Sequence, residues 1–356
     1  VYLTRTEEDR MPRDIVSPHE VDLESVGRRD YWVSLSHTSV WGSHLIPLTV
    51  IVGQQAKPGE GLVAFGANHG NEYEGQIILR NLIGTLDTEK IRGRLIVLPG
   101  LNAPAVRAGR RVSPLDGGNL NRLFPGSTSN GPTSAIAGFV TQHLLPLCEF
   151  GLDFHSGDPS SCYLPCAFLT TCSDSSLHER NVAAAEVFGA DHTYVVEGWS
   201  AKPSFDANAH RLGVSFISTE LGGGGGTTPE TLSVGKRGLD RVLDWMGVMP
   251  ASHLVPCAST TFLDGMHPES CVTAPADGIF EPFAALGEQV VEGQIAGYIH
   301  IVWEPGLTRE VLFQSSGIVA VMRRTASVKA GNYLFTVTPE LDRKAVLRMS
   351  GRIDPT

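Results

Sequence analysis

Apolar positions along the first 250 residues fall into blocks with two alternating spacings. The short continuous apolar runs are LTVIVG at 48 to 53, GLVAFGA at 61 to 67, RLIVLPG from Arg94 and FGLDFHSG from Phe150. They are too short for helices and have the character of strands covered on both faces. Between them, EGQIILRNLIGTL from Glu74 sets Ile77, Ile78 and Leu82 on one helical face, and TSAIAGFVTQHLLPLC predicts a second helix over residues 133–148. AFLTT and GVSFISTELGG read as further strands. Helices are expected near Leu177 to Val187 and from Pro229 to about Met246, where Pro229 suits a first turn. This alternation predicts an α/β fold, a sheet sandwiched between helices.

After Met246 the pattern changes. GVMPASHLVPCAST reads as a linker, and the chain beyond it is strand-like with no helix. ADGIFEPFAALGEQVVEGQIAGYI and SSGIVAVMRRTASVKAGNYLFTV repeat one theme: small-Gly-Ile, an apolar bend, a Gly-led hairpin and a final strand. Two such halves resemble the barrel-sandwich fold of lipoyl and biotinyl carrier domains. In those carriers a lysine at the hairpin tip takes the cofactor, whereas the corresponding bend here is Val321-Met322-Arg323-Arg324. Arginine cannot form the amide, so the small all-β domain is read as a non-acylated cap or oligomerisation module. The organisation expected is an N-terminal extension over residues 1–40, a main domain over 41–250 and the barrel-sandwich domain over 258–340. A length of 356 residues, beyond what one core usually serves, agrees with this division.

Hydrophobic residues at 42% and charged residues at 19% describe an ordinary globular chain. A net charge of −10 repels phosphate backbones and anionic lipid, so neither nucleic acid nor membrane is an expected partner. A small metabolite is. The segment VYLTRTEEDRMPRD has no apolar core of a secretion signal, no run approaches the roughly 18 to 20 apolar residues of a membrane span, and the six cysteines form no dense framework. A reducing cytoplasm is the expected setting. Cys162 and Cys166, spaced C-x3-C, lack the second pair that a structural zinc site needs.

The polar residues concentrate where apolar runs end. GANHGNEYEG, residues 66–75, sets His69, Glu72 and Glu74 in one glycine-flanked turn, where they either face water or converge on something positive, because buried unpaired charge is costly. His69 and Glu72 form H-x-x-E past one strand, and His155 lies at the end of another. Ligands bind beyond the carboxyl ends of strands in open α/β sheets, so both segments can reach one crevice. Two imidazoles and a carboxylate are the ligands of many catalytic zinc sites, with a fourth position for water, and Asp153 is placed to orient His155. H-x-x-E alone is a weak signal; the similar pair His19 and Asp22 reads as solvated. GRRVSPLDGGNLNRLFPG carries Arg110, Arg111, Asp116, Asn121 and Arg122 in a loop, either simply solvated or built to grip a carboxylate with arginine's planar fork. Glu220, followed by five glycines, is either a surface glutamate or a general base beside a backbone free to move or to admit substrate closely.

NHGNEYEG, GNLNRLFPG, DFHSG and STELGGGG together resemble the signatures of the succinylglutamate desuccinylase/aspartoacylase family, relatives of the zinc carboxypeptidases. Within it, RAGRRVSPLDGGNLNRLFPG, STELGGGG and TTFLD most resemble the deacetylases of ectoine breakdown. The resemblance runs from about Trp41 into the tail. It implies a zinc-carboxypeptidase-like mixed sheet flanked by helices, and one zinc ion per chain held by His69, Glu72 and His155. It further implies that Asn121 and Arg122 bind the substrate α-carboxylate, that Arg111 rather than Arg110 polarises the scissile carbonyl, and that Glu220 is the general acid/base. The implied substrate is a small N-acylated amino acid, N-alpha-acetyl-L-2,4-diaminobutyrate first, in a homo-oligomer. Asn119 stands where much of the family has Asp, which leaves the role of that acid open. N-Acetylaspartate, N-succinylglutamate or a peptide C-terminus are the alternative substrates, and ligand binding without turnover is the non-enzymatic one. An acidic substrate calls for an added cation; a free amine calls for a carboxylate such as Glu74, Asp158 or Glu197.

Overall fold

Leu62–Gly66 and Arg94–Leu98 are buried along their entire length, which explains why, Arg94 apart, both alternating sets of side chains are apolar. The computed structural model describes residues 13–36, 41–197, 203–251, 259–265 and 268–350. Its main unit contains strands β1 (Asp14–Val16), β2 (Gly27–Ser36), β3 (Ser43–Val52), β4 (Leu62–Gly66), β5 (Arg94–Leu98), β6 (Phe150–His155), β7 (Ser161–Tyr163), β8 (Cys166–Thr170), β9 (His192–Val196), β10 (Ser215–Glu220) and β11 (Thr261–Asp264). Helices α1 (Glu74–Thr85), α2 (Ala103–Ala108), α3 (Pro132–Phe139), α4 (Ser175–Phe188), α5 (Phe205–Arg211) and α6 (Pro229–Trp245) lie between them.

The C-terminal unit holds β12 (Cys271–Thr273), β13 (Gly278–Pro282), β14 (Gln289–Val290), β15 (Ile295–His300), β16 (Thr308–Leu312), β17 (Gly317–Arg323), β18 (Ser327–Val328) and β19 (Tyr333–Thr338). The chain then returns to the main unit through β20 (Glu340–Leu341) and α7 (Arg343–Arg348). The large sheet is mixed and has eleven strands, in the order β1-β2-β3-β5-β4-β6-β10-β8-β9-β11-β20. On one face Ala64, Leu152 and Ile217 pack under Ile78, Leu79, Phe188 and Leu243 of α1, α4 and α6. On the other, Val63, Phe65 and Phe216 pack with Ile136 and Phe139 of α3 and Phe205 of α5. Thr228 caps α6 by accepting from Thr231 N at 3.1 Å, and Pro229 opens it, as expected for a residue with no amide hydrogen to lose. Among the described residues no helix is long and apolar enough to cross a membrane.

Several elements differ from the sequence-based expectation. β2 lies within residues 1–40 yet pairs with β3 from Gly27↔Val52 to Ser36↔Ser43, so the sheet reaches into the supposed extension. Tyr31, Val33 and Leu35 alternate inward with the half-buried Trp32 and Ser34 between them, so this strand shows a period of two and not the continuous apolar run of the inner strands. The helix expected over 133–148 is regular only to Phe139; a wider turn over Val140–Leu144 and a tighter one over Leu145–Leu147 come after it. Pro146 accounts for the change, since it cannot donate to the preceding turn and its ring crowds it. TTFLD belongs to the main sheet as β11, and the tail does contain a helix, α7. His178 Nε2 donates to Val346 O at 2.9 Å, which ties α7 to α4. Part of the linker, residues 252–258, lies outside the described residues.

The internal repeat is visible as reciprocal pairing. β13, β14 and β15 correspond to β17, β18 and β19, and each short middle strand crosses to the other half, β14 onto β17 and β18 onto β13. Two sheets, β12-β19-β17-β14 and β16-β15-β13-β18, enclose Phe280, Ile299, Phe313 and Phe335. One strand of the main unit, β7, joins this C-terminal sheet by pairing with β17.

Candidate active site

Three adjacent parallel strands, β4, β6 and β10, end at one level: Gly66 pairs with Phe154, and Glu220 with His155. The run at residues 66–75 is buried at every position except the half-buried Tyr73, so its polar side chains turn inward. Ala67 takes φ 63°, a left-handed conformation that is rare for a residue with a side chain. Backbone bonds from Leu101 N to Gly66 O and from Asn102 N to Ala67 O, both 3.0 Å, hold it there. Position 70 must be glycine, because a Cβ would stand 2.1 Å from the Ala105 carbonyl carbon. The tight turn delivers His69 and Glu72 to the same crevice as His155.

His69 Nδ1 is 2.7 Å from Glu72 Oε1, and His155 Nδ1 is 2.8 Å from Glu72 Oε2. The outer nitrogens also face acceptors: His69 Nε2 lies 3.2 Å from Asn119 Oδ1, and His155 Nε2 lies 2.7 Å from Asp153 Oδ2. A neutral imidazole carries one N–H and so serves only one acceptor. With Nε2–H donated outward, both Nδ1 lone pairs and the Glu72 carboxylate face one another, an arrangement that asks for positive charge between them. Donor atoms of the three residues lie within 4.8 Å of one another. Glu72 and Asp153 add two buried negative charges, which a divalent cation would balance. The residues therefore fit a metal ion, with the outward acceptors fixing each ring's tautomer. Among the described residues, Cys162 and Cys166 join no comparable cluster.

Electrostatics distinguish the ionisable groups. Burial alone would favour protonated Glu72, but the imidazoles of His69 and His155 outweigh it and hold this carboxyl well below the carboxylate range. Burial lowers the His69 pKa, whereas for His155 the charges of Asp153 and Glu72 overcome burial and raise it. Glu220, at the end of β10, is pushed up to about 8 by burial and then by the charge of Glu72. Its Oε2 is buried with no hydrogen-bond partner.

The loop residues divide. Arg110 is exposed, while Arg111 Nη1 donates to Glu72 Oε1 at 3.0 Å, so Arg111 is the arginine at the cluster. Asn121 and Arg122 sit on the turn Leu120–Arg122, immediately after the Asn119 that touches His69. Asn121 Oδ1 accepts from Phe205 N at 3.0 Å. Burial lowers the Arg122 pKa, the Asp206 carboxylate opposes this, and the charge of Arg111 adds to the lowering. Of the carboxylates considered for a substrate amine, Glu74 accepts from Thr231 Oγ1 at 3.4 Å, and Asp158 is turned onto Ser160 N and Oγ at 2.7 and 2.6 Å. Glu197 adjoins residues 198–202, which lie outside the described residues. Sequence reasoning missed Tyr163 on β7. Burial and then the charge of Glu220 raise its phenol well above the usual value, keeping a neutral O–H near Glu220. Nothing in the local pattern marks it, because its neighbours come from distant segments.

Comparison with known proteins places this arrangement. Residues 58–246 match the Succinylglutamate desuccinylase/Aspartoacylase catalytic domain. The chain is 36% identical over 324 residues to the N-alpha-acetyl-L-2,4-diaminobutyric acid deacetylase of Halomonas elongata, covering 89% of this chain and 93% of that protein. The product-bound structure of the ectoine utilization protein EutE (DoeB) from Ruegeria pomeroyi superposes with a TM-score of 0.84 at 31% identity, covering 90% of this chain and 98% of that one. The succinylglutamate desuccinylase/aspartoacylase structure from Rhodobacter sphaeroides gives a TM-score of 0.81 at 32% identity with the same coverage. With the family domain spanning more than half its length and relatives matching nearly all of it, the chain belongs to the succinylglutamate desuccinylase/aspartoacylase family of deacylating hydrolases.

Proposed function

We propose that this chain is a zinc-dependent amidohydrolase that removes the acetyl group from N-alpha-acetyl-L-2,4-diaminobutyrate, releasing acetate and diaminobutyrate. The observation that carries this reading is the buried His69, Glu72 and His155 cluster with Glu220 at the adjoining strand end. The 36% identical deacetylase supports the substrate. In this reading His69, Glu72 and His155 hold one zinc ion, while Asn119 and Asp153 fix the two rings. Zinc bound there would supply Lewis acidity, lowering the pKa of water from about 15.7 to about 7.

The chain's own groups do the rest. Asn121 and Arg122 hold the substrate α-carboxylate, the guanidinium fork matching its two oxygens. That anchor sets the acyl carbonyl against Arg111, whose side chain is 42% exposed and can turn from Glu72 to the oxygen as charge develops there. Glu220 accepts a proton from the attacking water as the C–O bond forms and returns it to the nitrogen as the C–N bond breaks. The amine then leaves as a neutral group, and a carboxyl whose proton affinity is raised suits both transfers. The C-terminal unit is read as a barrel-sandwich without a carrier lysine, its bend occupied by Arg323 and Arg324.

The reading is tested with a panel of N-acylated amino acids, assayed for released amine with and without added zinc. Acetyl-diaminobutyrate is expected to turn over fastest, in protein that holds stoichiometric metal when purified without chelators. Metal-free protein unresponsive to zinc would end the proposal. Arg122→Ala is expected to raise KM roughly 10- to 100-fold, as for one or two lost charge-assisted hydrogen bonds. Steady-state kinetics with kcat falling but KM unchanged would remove Arg122 from carboxylate binding.

A further inference from the structure

We infer that the C-terminal unit positions the base Glu220, with Arg324 and strand β7 as the link; this rests on the proposed role of Glu220. The loop after Glu220 has positive φ at four successive glycines, 85° at Gly222, 129° at Gly223, 72° at Gly224 and 76° at Gly225. Glycine has more backbone freedom than any other residue, so this loop has little stiffness of its own. It is nevertheless pinned on both sides. Gly222 O accepts from Gly157 N at 3.0 Å and from Tyr163 N at 2.9 Å, and Gly224 N donates to Asp158 O at 3.0 Å and Ser161 O at 2.8 Å. Cys162 bridges Gly223. At Gly223 a Cβ would stand 2.4 Å from Ser161 O, so glycine is required here for close approach rather than for motion.

The segment that pins the loop is itself held from the C-terminal unit. β7 pairs with β17 through Val321↔Tyr163, Met322↔Cys162 and Arg323↔Ser161. Leu164 N donates to Ala320 O at 2.9 Å, and Arg324 N donates to Ser160 O at 2.8 Å. The Arg324 side chain then covers the loop, its Cγ 3.1 Å and its Nε 3.2 Å from where a Cβ on Gly224 would stand. Its guanidinium has no hydrogen-bond or ion-pair partner among the described residues. What Arg324 supplies is therefore its stem, packed against a backbone that cannot hold itself. Since Leu221 N also donates to His155 O at 3.0 Å, a tie at each end of the Leu221–Gly224 segment sets where Glu220 points.

The test compares Arg324→Ala and Arg324→Lys in the full chain. Arg324→Ala is expected to lower kcat roughly tenfold, as small misplacements of a reacting group do. KM, metal stoichiometry and melting temperature should stay at wild-type values, and amide hydrogen exchange over residues 221–227 should accelerate. Arg324→Lys keeps the aliphatic stem and should restore both. A change in turnover or in exchange without the other, a rise in KM, or a lysine variant as impaired as alanine would each overturn the inference. If Glu220→Gln keeps wild-type turnover, the base assignment fails instead, and that result is separate from the exchange measured at the loop.

Discussion

Glu220→Gln is expected to lower kcat by about 10²- to 10⁴-fold while metal content stays at the wild-type level. Glutamine keeps the size and one acceptor of the side chain but cannot take up a proton. Glu220 ends β10 beside His155, and its Oε2 is buried without a hydrogen-bond partner, so replacement removes no structural contact through that atom. The loss should therefore fall on turnover and leave KM and folding nearly untouched. Near wild-type kcat in homogeneous Glu220→Gln would show that the proton moves by another route.

The second large effect is expected at Glu72. Its carboxylate faces both imidazoles, accepts from Arg111 and lies 3.3 Å from Ser156 N, so four groups converge on two oxygens. Glu72→Ala leaves the two imidazoles without the carboxylate that both Nδ1 atoms face. Inductively coupled plasma analysis is expected to find metal falling from about one ion per chain to trace levels, with activity at background. In the wild type, zinc at 1,000 times its Kd should stabilise the fold by about 4.1 kcal/mol, and Glu72→Ala should abolish the matching rise in melting temperature. A variant that keeps both its metal and its zinc-dependent melting shift would separate Glu72 from the cation.

How much of this was legible in the chain depends on the distance over which each contact acts. H-x-x-E and His155 were readable because strand ends are marked by apolar runs, and parallel strands bring those ends together. The choice of Arg111 over Arg110 was not derivable from two adjacent arginines in a loop; it depends on which one reaches Glu72. Asn119 is instructive: its role is open in the sequence, and the structure sets its Oδ1 3.2 Å from His69 Nε2. The glycine run after Glu220 reads in sequence as a backbone free to move or to admit substrate closely, whereas Gly223 is packed against Ser161 and Gly157, a reason that no local pattern carries. β7 escaped notice because its three residues pair with positions near 322, about which local pattern carries no information. The short helices α2 and α5 escaped for a related reason, having too few turns to display a period.

The central pairing of β4 with β6 joins segments that lie nearly ninety residues apart along the chain. Until that long loop closes, the imidazole at 155 is remote from the pair at 69 and 72, and no partly folded form can clasp a cation with all three. A cation held by all three would thus be captured late, after the slow non-local step, and would fasten shut the same strands whose meeting made its seat.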